Sequence, residues 1–223
     1  MKLGATDISK VYLGNTEVSK AYLGSTLVHG SDGPVLPYDA EVEYLQSAGT
    51  QWIETDYYPN DATVIQAKYL CNKKEKAPFA VRWSGASTYD TFGAYVASTS
   101  RATIYYGRFS DNKYANINVS SASAIELTIG LNQIKLNANT ANITRDSFTS
   151  TYPLFLFCMN NEGLASMGAP MLLYSLTITE GANTIMDLIP VRKSGVGYMY
   201  DKVSGNLFGN DGSGSFTYGN DKN

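Results

Sequence analysis

From residue 40 onwards, the chain alternates short half-apolar runs with turn sequences, and this pattern predicts an all-β fold. Runs such as Ala62–Leu70, Arg101–Phe109 and Asn132–Ala138 place polar and apolar side chains on opposite sides, as a half-buried strand requires. They recur about every 8–15 residues, and sequences rich in glycine, asparagine and aspartate separate them. Because so many short strands occur without an amphipathic helix, we expect a sandwich, most simply a jelly roll.

The stretch Pro153–Met159 is apolar on both faces, which predicts a central strand that is buried on both sides. Cys158 lies within it and is expected to be a buried thiol. Cys71 follows another predicted strand. Two cysteines do not form a disulfide framework, although a single bridge between them stays open as an alternative.

Charge and hydropathy argue against two classes of partner. The net charge is −3 and only 17% of the residues are charged, so the basic stripe of a nucleic-acid-binding protein is not expected. No apolar run reaches the roughly 18 residues of a membrane-spanning helix, and no membrane insertion is expected. The first residues lack the apolar segment of a secretory signal peptide, so we expect synthesis in a cytoplasm.

The pattern L-G-x-T-x-(I/V)-S-K-x-Y begins at Leu3 and recurs at Leu13 and, shortened, at Leu23. This period is too short for a helical repeat, and its glycine suits a short strand followed by a tight turn. A segment of about 30 residues cannot bury a core alone, so we expect it to need a partner, either copies of itself or another protein. The alternative is a small β-meander folded onto the main domain.

Composition divides the chain into a repeat segment (residues 1–30), a linker (residues 31–39) and a main domain (residues 40–223). The linker is rich in glycine, proline and aspartate and poor in apolar residues. The apolar positions of the repeat are predicted to make the attachment or oligomer contacts. These residues are Ile8, Tyr12, Leu13, Val18, Tyr22, Leu23 and Val28.

Several stretches resemble concanavalin A-like (laminin-G-like) jelly rolls, which occur in surface proteins of gut Bacteroidetes and in their phages. Glu41–Asn60 resembles the opening strand pair of that domain, and Leu154–Ile178 followed by Leu188–Asn210 resembles its closing half. The resemblance covers about residues 40–218. Its most recognisable positions are Tyr174, Ser175, Ile178, Ile189, Pro190, Gly197, Tyr198, Asp201, Ser204 and Gly205. The opening repeat resembles N-terminal segments of fibre and appendage proteins of Bacteroides-infecting phages.

These resemblances imply an all-β, concanavalin A-like jelly-roll sandwich preceded by a short β-repeat anchor segment. They further imply a structural virion protein, a head or tail fibre or appendage, made in the host cytoplasm. It would attach to other virion proteins, in the capsid or the tail, through residues 1–30. We expect a homo-oligomer, with a trimer favoured, whose sandwich adheres to host-surface glycans. The alternative is a bacterial cell-surface carbohydrate-binding module or adhesin, and a glycoside-active enzyme is the third reading.

No catalytic residue is predicted. The single histidine, His29, lies at the linker, where it is poorly placed to act as a general base. Glycosidases built on this jelly roll carry clustered acids along one strand, and Glu54 and Asp56 lack a third acid after them. Glu41 and Glu43 share a strand face, also without a third partner. We therefore expect that the protein is not an enzyme.

No cofactor is predicted, although two turns contain oxygen ligands suited to a structural Ca²⁺. These turns are Asn210–Gly214 and Ser110–Lys113, and the favoured interpretation of both is an ordinary turn without a metal. Whether a metal is bound is left open at this point.

Glycan binding uses aromatic faces that stack on sugar rings and polar side chains that bond the hydroxyl groups. The residues predicted to do this are Trp83, Arg82, Tyr89, Tyr105, Tyr106 and Arg108. Each tyrosine has an alternative role, since tyrosines are common on solvent-facing sides of sheets. Trp52 lies in an alternating apolar run and is predicted to belong to the core.

Overall fold

The computed structural model describes residues 2–3, 6–7, 11–18, 20–23, 26–29, 36–84, 89–98, 100–107, 114–118, 123–144 and 147–222. The chain divides into two compact units, residues 1–36 and residues 37–223. Throughout the described ranges the regular structure is β-strand without any helix, so no helix there has the length and hydropathy of a membrane span.

The described residues of the small unit form three two-stranded hairpins, one for each copy of the repeat. Their strands are β1 (Lys2–Leu3), β2 (Thr6–Asp7), β3 (Val11–Leu13), β4 (Thr16–Val18), β5 (Ala21–Leu23) and β6 (Thr26–His29). Leu13 pairs with Thr16 across a turn whose first residue, Gly14, has a φ of 62°. A type II′ hairpin turn requires this left-handed conformation at its first position. The prediction of short strands joined by tight turns is confirmed.

In the described residues of the large unit, nineteen strands form two mainly antiparallel sheets. They are β7 (Ala40–Glu41), β8 (Leu45–Ala48), β9 (Ile53–Glu54), β10 (Thr63–Leu70), β11 (Lys76–Ser84), β12 (Tyr89–Ser98), β13 (Arg101–Gly107), β14 (Tyr114–Asn118), β15 (Ile125–Ile129), β16 (Gln133–Leu136), β17 (Asn139–Asn142), β18 (Phe155–Leu156), β19 (Met159–Asn161), β20 (Leu164–Ser166), β21 (Pro170–Glu180), β22 (Asn183–Lys193), β23 (Val196–Asp201), β24 (Leu207–Phe208) and β25 (Thr217–Tyr218).

The larger sheet has the order β17-β16-β15-β10-β21-β22-β23-β24, with β7 added to β22, β8 to β21 and β25 to β8. The smaller sheet has the order β14-β13-β12-β11-β18-β9, with β19 added to β11 and β20 to β19. Only the pairing of β11 with β19 is parallel among the described strands. Several neighbouring strands are far apart in sequence, such as β10 beside β21 and β9 beside β18, as in a jelly roll rather than a simple meander.

Alternation along the strands places one face of each sheet in a shared core. Ile65 and Tyr69 of β10 face this core from the larger sheet, and Ile104 of β13 faces it from the smaller sheet. Polar residues such as Gln66 and Lys68 lie between the buried positions and point away from the core. The prediction of an all-β, jelly-roll-like sandwich is confirmed.

The stretch Pro153–Met159 is buried as predicted, but it forms two short strands rather than one. Phe157 has a φ of 66°, a left-handed conformation that is rare for a bulky residue, and it separates β18 from β19. Its backbone N–H donates to the carbonyl oxygen of Pro78 at 2.7 Å, and its own carbonyl accepts from Ala169 at 2.7 Å. The prediction of a single strand is therefore wrong.

Both cysteines are buried free thiols. Burial raises the pKa of Cys158 to about 12, and it also raises the pKa of Cys71. Both side chains therefore stay protonated at neutral pH, as apolar packing groups.

The last residues of the predicted linker are attached to the sandwich. The ring of Tyr38 lies 4.9 Å from that of Tyr200, measured between centroids. The backbone N–H of Asp39 donates to the carbonyl oxygen of Arg192 at 2.8 Å. The large unit accordingly begins at Pro37, three residues before the predicted start of the main domain. Residues 30–35 lie outside the described ranges.

Candidate functional site

The outer side of the smaller sheet, which faces away from the core, carries a group of aromatic and polar side chains. In β11, Val81 and Trp83 belong to the core cluster, so Arg82 between them points outward. In β13, Ile104 and Tyr106 belong to the core, so Tyr105 points outward. We call this surface the tyrosine–arginine face and define it as Arg82, Tyr89, Thr91, Tyr95, Thr103, Tyr105, Tyr114 and Asn116.

Strand register brings these residues together although they come from four strands. Arg82 pairs with Thr91, and Tyr105 pairs with both Gly93 and Tyr114. Because Thr91 and Gly93 are two residues apart in β12, their two cross-strand rows are neighbours on the same face. The register thus places Arg82 and Tyr105 in adjacent rows.

Gly93 allows β12 to approach the backbone of β11 closely. Its φ is 128°, and a β-carbon at this position would overlap the carbonyl oxygen of Phe79. Since glycine has no side chain, none stands opposite Tyr105 in this cross-strand row.

We expect Gly93→Ala to lower the free energy of unfolding by about 3 kcal/mol, the sum of backbone strain and steric overlap. Gly195→Ala is the matched control, since Gly195 also has a positive φ, 77°, but has open space around its β-carbon position. It should cost only about 1 kcal/mol. Denaturant unfolding measures both variants. Equal losses would contradict the close approach at Gly93.

Arg82 is the central charged residue of the tyrosine–arginine face. The carbon at the centre of its guanidinium, Cζ, lies 5.7 Å from the centroid of the Tyr89 ring, within cation–π distance. Its Nε is buried and has no hydrogen-bond partner. Within the part of the chain that the structure describes, no carboxylate forms an ion pair with it. The guanidinium is therefore held beside an aromatic ring, and its Nε has no acceptor among the described residues.

The neighbouring carboxylate of Glu162 bonds to a serine hydroxyl and not to this guanidinium. The hydroxyl of Ser84 donates a short hydrogen bond to Oε1 of Glu162. The backbone N–H of Glu162 donates to the carbonyl oxygen of Arg82 at 3.1 Å, which fixes the turn between β19 and β20 beside β11. Oε1 of Glu162 thus accepts a hydrogen bond from a hydroxyl group, and among the described residues Glu162 forms no ion pair with Arg82.

The tyrosines provide flat apolar surface around Arg82. Tyr89 is 54% exposed, and the rings of Tyr105 and Tyr114 lie 6.1 Å apart between centroids. Burial raises the pKa of Tyr105, and the positive charge of Arg82 opposes that rise. Thr103 donates to Oδ1 of Asn116 at 2.7 Å, which orients the amide of Asn116. Such a surface can bind a ligand that has both an apolar face and hydrogen-bonding groups.

Trp83 and Tyr106 face the other way, which corrects the prediction that their rings contact a glycan. Trp83 is 4% exposed and stacks on Phe148 at 5.7 Å between centroids. Tyr106 is fully buried, and its hydroxyl lies 3.2 Å and 3.0 Å from the carbonyl oxygens of Asp61 and Thr63. Adjacent residues of a strand point to opposite sides of the sheet. Of the pair Arg82–Trp83 only Arg82, and of the pair Tyr105–Tyr106 only Tyr105, can therefore lie on the outer face.

Other residues of the face were not predicted from the sequence. Tyr95 has the same parity in β12 as Tyr89, and this spacing is a signal that could have identified it. Tyr114 and Asn116 join the face only through the register of β14 against β13, which the sequence does not reveal. Arg108, which was predicted, lies outside the described residues.

A cleft outside the tyrosine–arginine face was not predicted from the sequence. It is a cleft of about 330 Å³ lined by Gly49–Trp52, Cys158, Ala165–Gly168 and Ser213, all of them uncharged. Trp52 is partly buried, stacks on Phe155 at 4.5 Å and packs against the core, as predicted. Nε2 of Gln51 donates to the carbonyl oxygen of Ser213 at 3.0 Å, so the amide ties the loops together. This cleft offers few uncommitted polar groups to a ligand.

The turn Asn210–Gly214 uses its oxygens within the fold. Oδ1 of Asn210 accepts from the backbone N–H groups of Trp52 and Gly212 at 3.1 Å and 2.9 Å. Oδ2 of Asp211 accepts a hydrogen bond from the backbone N–H of Glu54 at 2.8 Å. These contacts favour the turn alternative over a calcium site. Among the described residues, no three His, Cys, Asp or Glu side chains are grouped as metal ligands. Ser110–Lys113 lies outside them.

The acids considered for catalysis do not form a cluster with a shared function in this part of the structure. Glu54 and Asp56 are exposed on either side of the buried Thr55. Oε2 of Glu43 accepts from the backbone and side chain of Asn220, both at 3.2 Å, which attaches the C-terminal segment. That the protein is not an enzyme stays a prediction.

The small unit exposes apolar side chains at equivalent repeat positions. Tyr12 is 54% exposed, Leu13 is 80% exposed and Tyr22, ten residues after Tyr12, is 52% exposed. Val18 is half-buried. Of the remaining predicted contact residues, Leu23 and Val28 lie in strands whose side chains are not described there, and Ile8 lies outside the described residues.

Comparison with known proteins leaves the fold as the firmest assignment. No protein-family model and no curated protein matches this chain. The molecule is thus defined by its class, a two-sheet β-sandwich that carries an aromatic and cationic surface on one sheet. The resemblance to concanavalin A-like domains and to phage fibre segments stays a hypothesis, resting on the residues quoted above.

Proposed function

We propose that the protein is a structural component of a phage virion, a head or tail fibre or appendage. It attaches through its N-terminal unit and presents the sandwich for adhesion to host-surface glycans. The observation that carries this proposal is that each unit exposes its own type of binding surface. The small unit exposes apolar side chains at repeated positions, and the large unit exposes the tyrosine–arginine face.

The hairpins support the attachment role. A two-stranded hairpin is marginally stable alone, and contiguous exposed apolar side chains mark sites of protein–protein contact. Tyr12 and Tyr22 occupy the same position of consecutive repeats, so one repeating partner surface can contact both. The resemblance of the repeat to phage fibre segments suggests that this partner is a virion protein. A symmetric homo-oligomer, with a trimer favoured, would supply further contacts of the same kind.

The tyrosine–arginine face supports the adhesion role. Sugar rings stack on aromatic side chains through their apolar C–H faces, while their hydroxyls bond to polar side chains. Tyr89 offers an exposed ring with Arg82 beside it, and Asn116 offers an amide farther along the same face. The side chains lie on strands of a packed sandwich, so little conformational entropy is lost when a ligand binds.

Electron microscopy of particles labelled with an antibody against the sandwich tests the location. The proposal predicts labels on purified virions at regular positions on the capsid or the tail. Labels on the bacterial cell surface, with none on particles, would instead support the alternative of a cell-surface carbohydrate-binding module or adhesin.

A further inference from the structure

We propose that the tyrosine–arginine face selects acidic sugars, and that the guanidinium of Arg82 pairs with a carboxylate of the ligand. This inference rests on the proposed function, since it assigns a chemical class of glycan to the same face. It follows from three properties of Arg82: its unsatisfied donor, its fixed position and the absence of a described counter-charge.

The unsatisfied donor is Nε of Arg82. It is buried, and neither the backbone nor any side chain in the described ranges accepts a hydrogen bond from it. Burying a donor without an acceptor carries a free-energy penalty, which a ligand oxygen can remove. A carboxylate oxygen is a suitable acceptor, because Arg binds planar carboxylates through two parallel N–H···O bonds.

Arg192 shows how an arginine with a structural role is satisfied in the same fold. Its Nε and Nη2 each donate to a carboxylate oxygen of Asp221 at 2.7 Å, and Asp39 lies 3.5 Å from Nη1. This bidentate pair joins β22 to the C-terminal segment. Arg82 has no comparable pair within the described part of the molecule, so its charge is left for a ligand from outside the chain.

The position of Arg82 is fixed by its neighbours. The ring of Tyr89 lies 5.7 Å from Cζ, and Trp83 beside it anchors β11 in the core. An arginine held in place loses less conformational entropy on binding than a free surface arginine does. Glu162 is engaged by Ser84 and leaves the guanidinium open. A sugar ring that stacks on Tyr89 can thus place a C-6 carboxylate next to Arg82.

The test uses the full chain, a panel of uronic acid-containing oligosaccharides and their carboxyl-reduced, neutral counterparts, with affinities measured by calorimetry. Arg82→Gln should lower the affinity for the bound acidic oligosaccharide about ten- to hundredfold, as expected for the loss of a hydrogen-bonded charge. Raising NaCl from about 50 to about 500 mM should weaken wild-type binding to it severalfold. Sulfated oligosaccharides form a separate arm, and a preference for them over uronates would overturn the carboxylate assignment.

Arg101→Gln is the matched control, because it removes the same charge from the same outer side of the smaller sheet. Arg101 is exposed and lies four residues, about 13 Å, from Tyr105, outside the face. It should leave the affinities unchanged. Equal binding of acidic and neutral forms, or full affinity in Arg82→Gln, overturns the inference but leaves the proposed adhesion intact. Binding of no glycan of either form overturns both.

Discussion

We expect Tyr89→Ala to lower the affinity of the protein for the proposed host-surface glycan about 30-fold, and we expect the double variant Tyr89→Ala/Tyr105→Ala to bind no measurable glycan. The reason is that a tyrosine at the centre of a binding surface commonly contributes about 2 kcal/mol, which corresponds to a factor of about 30 in affinity. Tyr89 exposes its ring, and Tyr105 lies two rows along the same face, beyond the row that contains Arg82. Binding to host capsular polysaccharide, immobilised on a sensor surface, measures the effect.

Tyr58→Ala is the control for this prediction. Tyr58 is 49% exposed and lies in the loop after β9, outside the tyrosine–arginine face. The control should bind as the unmodified protein does. Thermal unfolding checks that Tyr105→Ala, which removes a partly buried ring, leaves the sandwich folded at the temperature of the assay. Undiminished binding by a folded double variant would show that the glycan contacts another surface.

Leu13→Glu combined with Tyr22→Glu should remove the protein from virions. Both side chains are exposed in the isolated chain and are expected to become buried against the partner. A carboxylate placed in such an interface must lose its hydration without gaining a counter-charge, which costs several kcal/mol for each group. The amount of the protein relative to the major capsid protein, measured by mass spectrometry of purified particles, should fall below detection.

Asn15→Asp provides the matched control for attachment. It adds a negative charge to the hairpin that contains Leu13, but at the exposed turn rather than in place of an apolar side chain. This variant should be incorporated normally. Full incorporation of the Leu13→Glu/Tyr22→Glu protein would contradict attachment through these hairpins.

Periodicity was sufficient to predict the class of fold, and it also explains which details were missed. Alternation in stretches such as Ala62–Leu70 shows which side chains share a face, and the core positions of β10 follow from it. The break at Phe157 could not be predicted, because a continuously apolar run has the same composition with or without a left-handed residue. Its conformation is imposed by tertiary contacts, including the hydrogen bond to Pro78.

The candidate site was predicted in part for the same reason. Arg82, Tyr89 and Tyr105 were identified as aromatic and polar residues of neighbouring runs, and they do share one face. Trp83 and Tyr106 were selected by residue type, although strand parity assigns each to the side opposite its neighbour. The unsatisfied Nε of Arg82 depends on packing between strands, and no sequence pattern reports it.

The central claim is that the glycan binds to the tyrosine–arginine face, and mapping of backbone amide NMR shifts during titration with host polysaccharide tests it most directly. The account predicts shifts at Arg82, Tyr89 and Tyr105, with unchanged signals from the loop Gly49–Trp52. Shifts confined to that loop and to Ser213 would place the ligand in the uncharged cleft that these residues line, and would contradict the account.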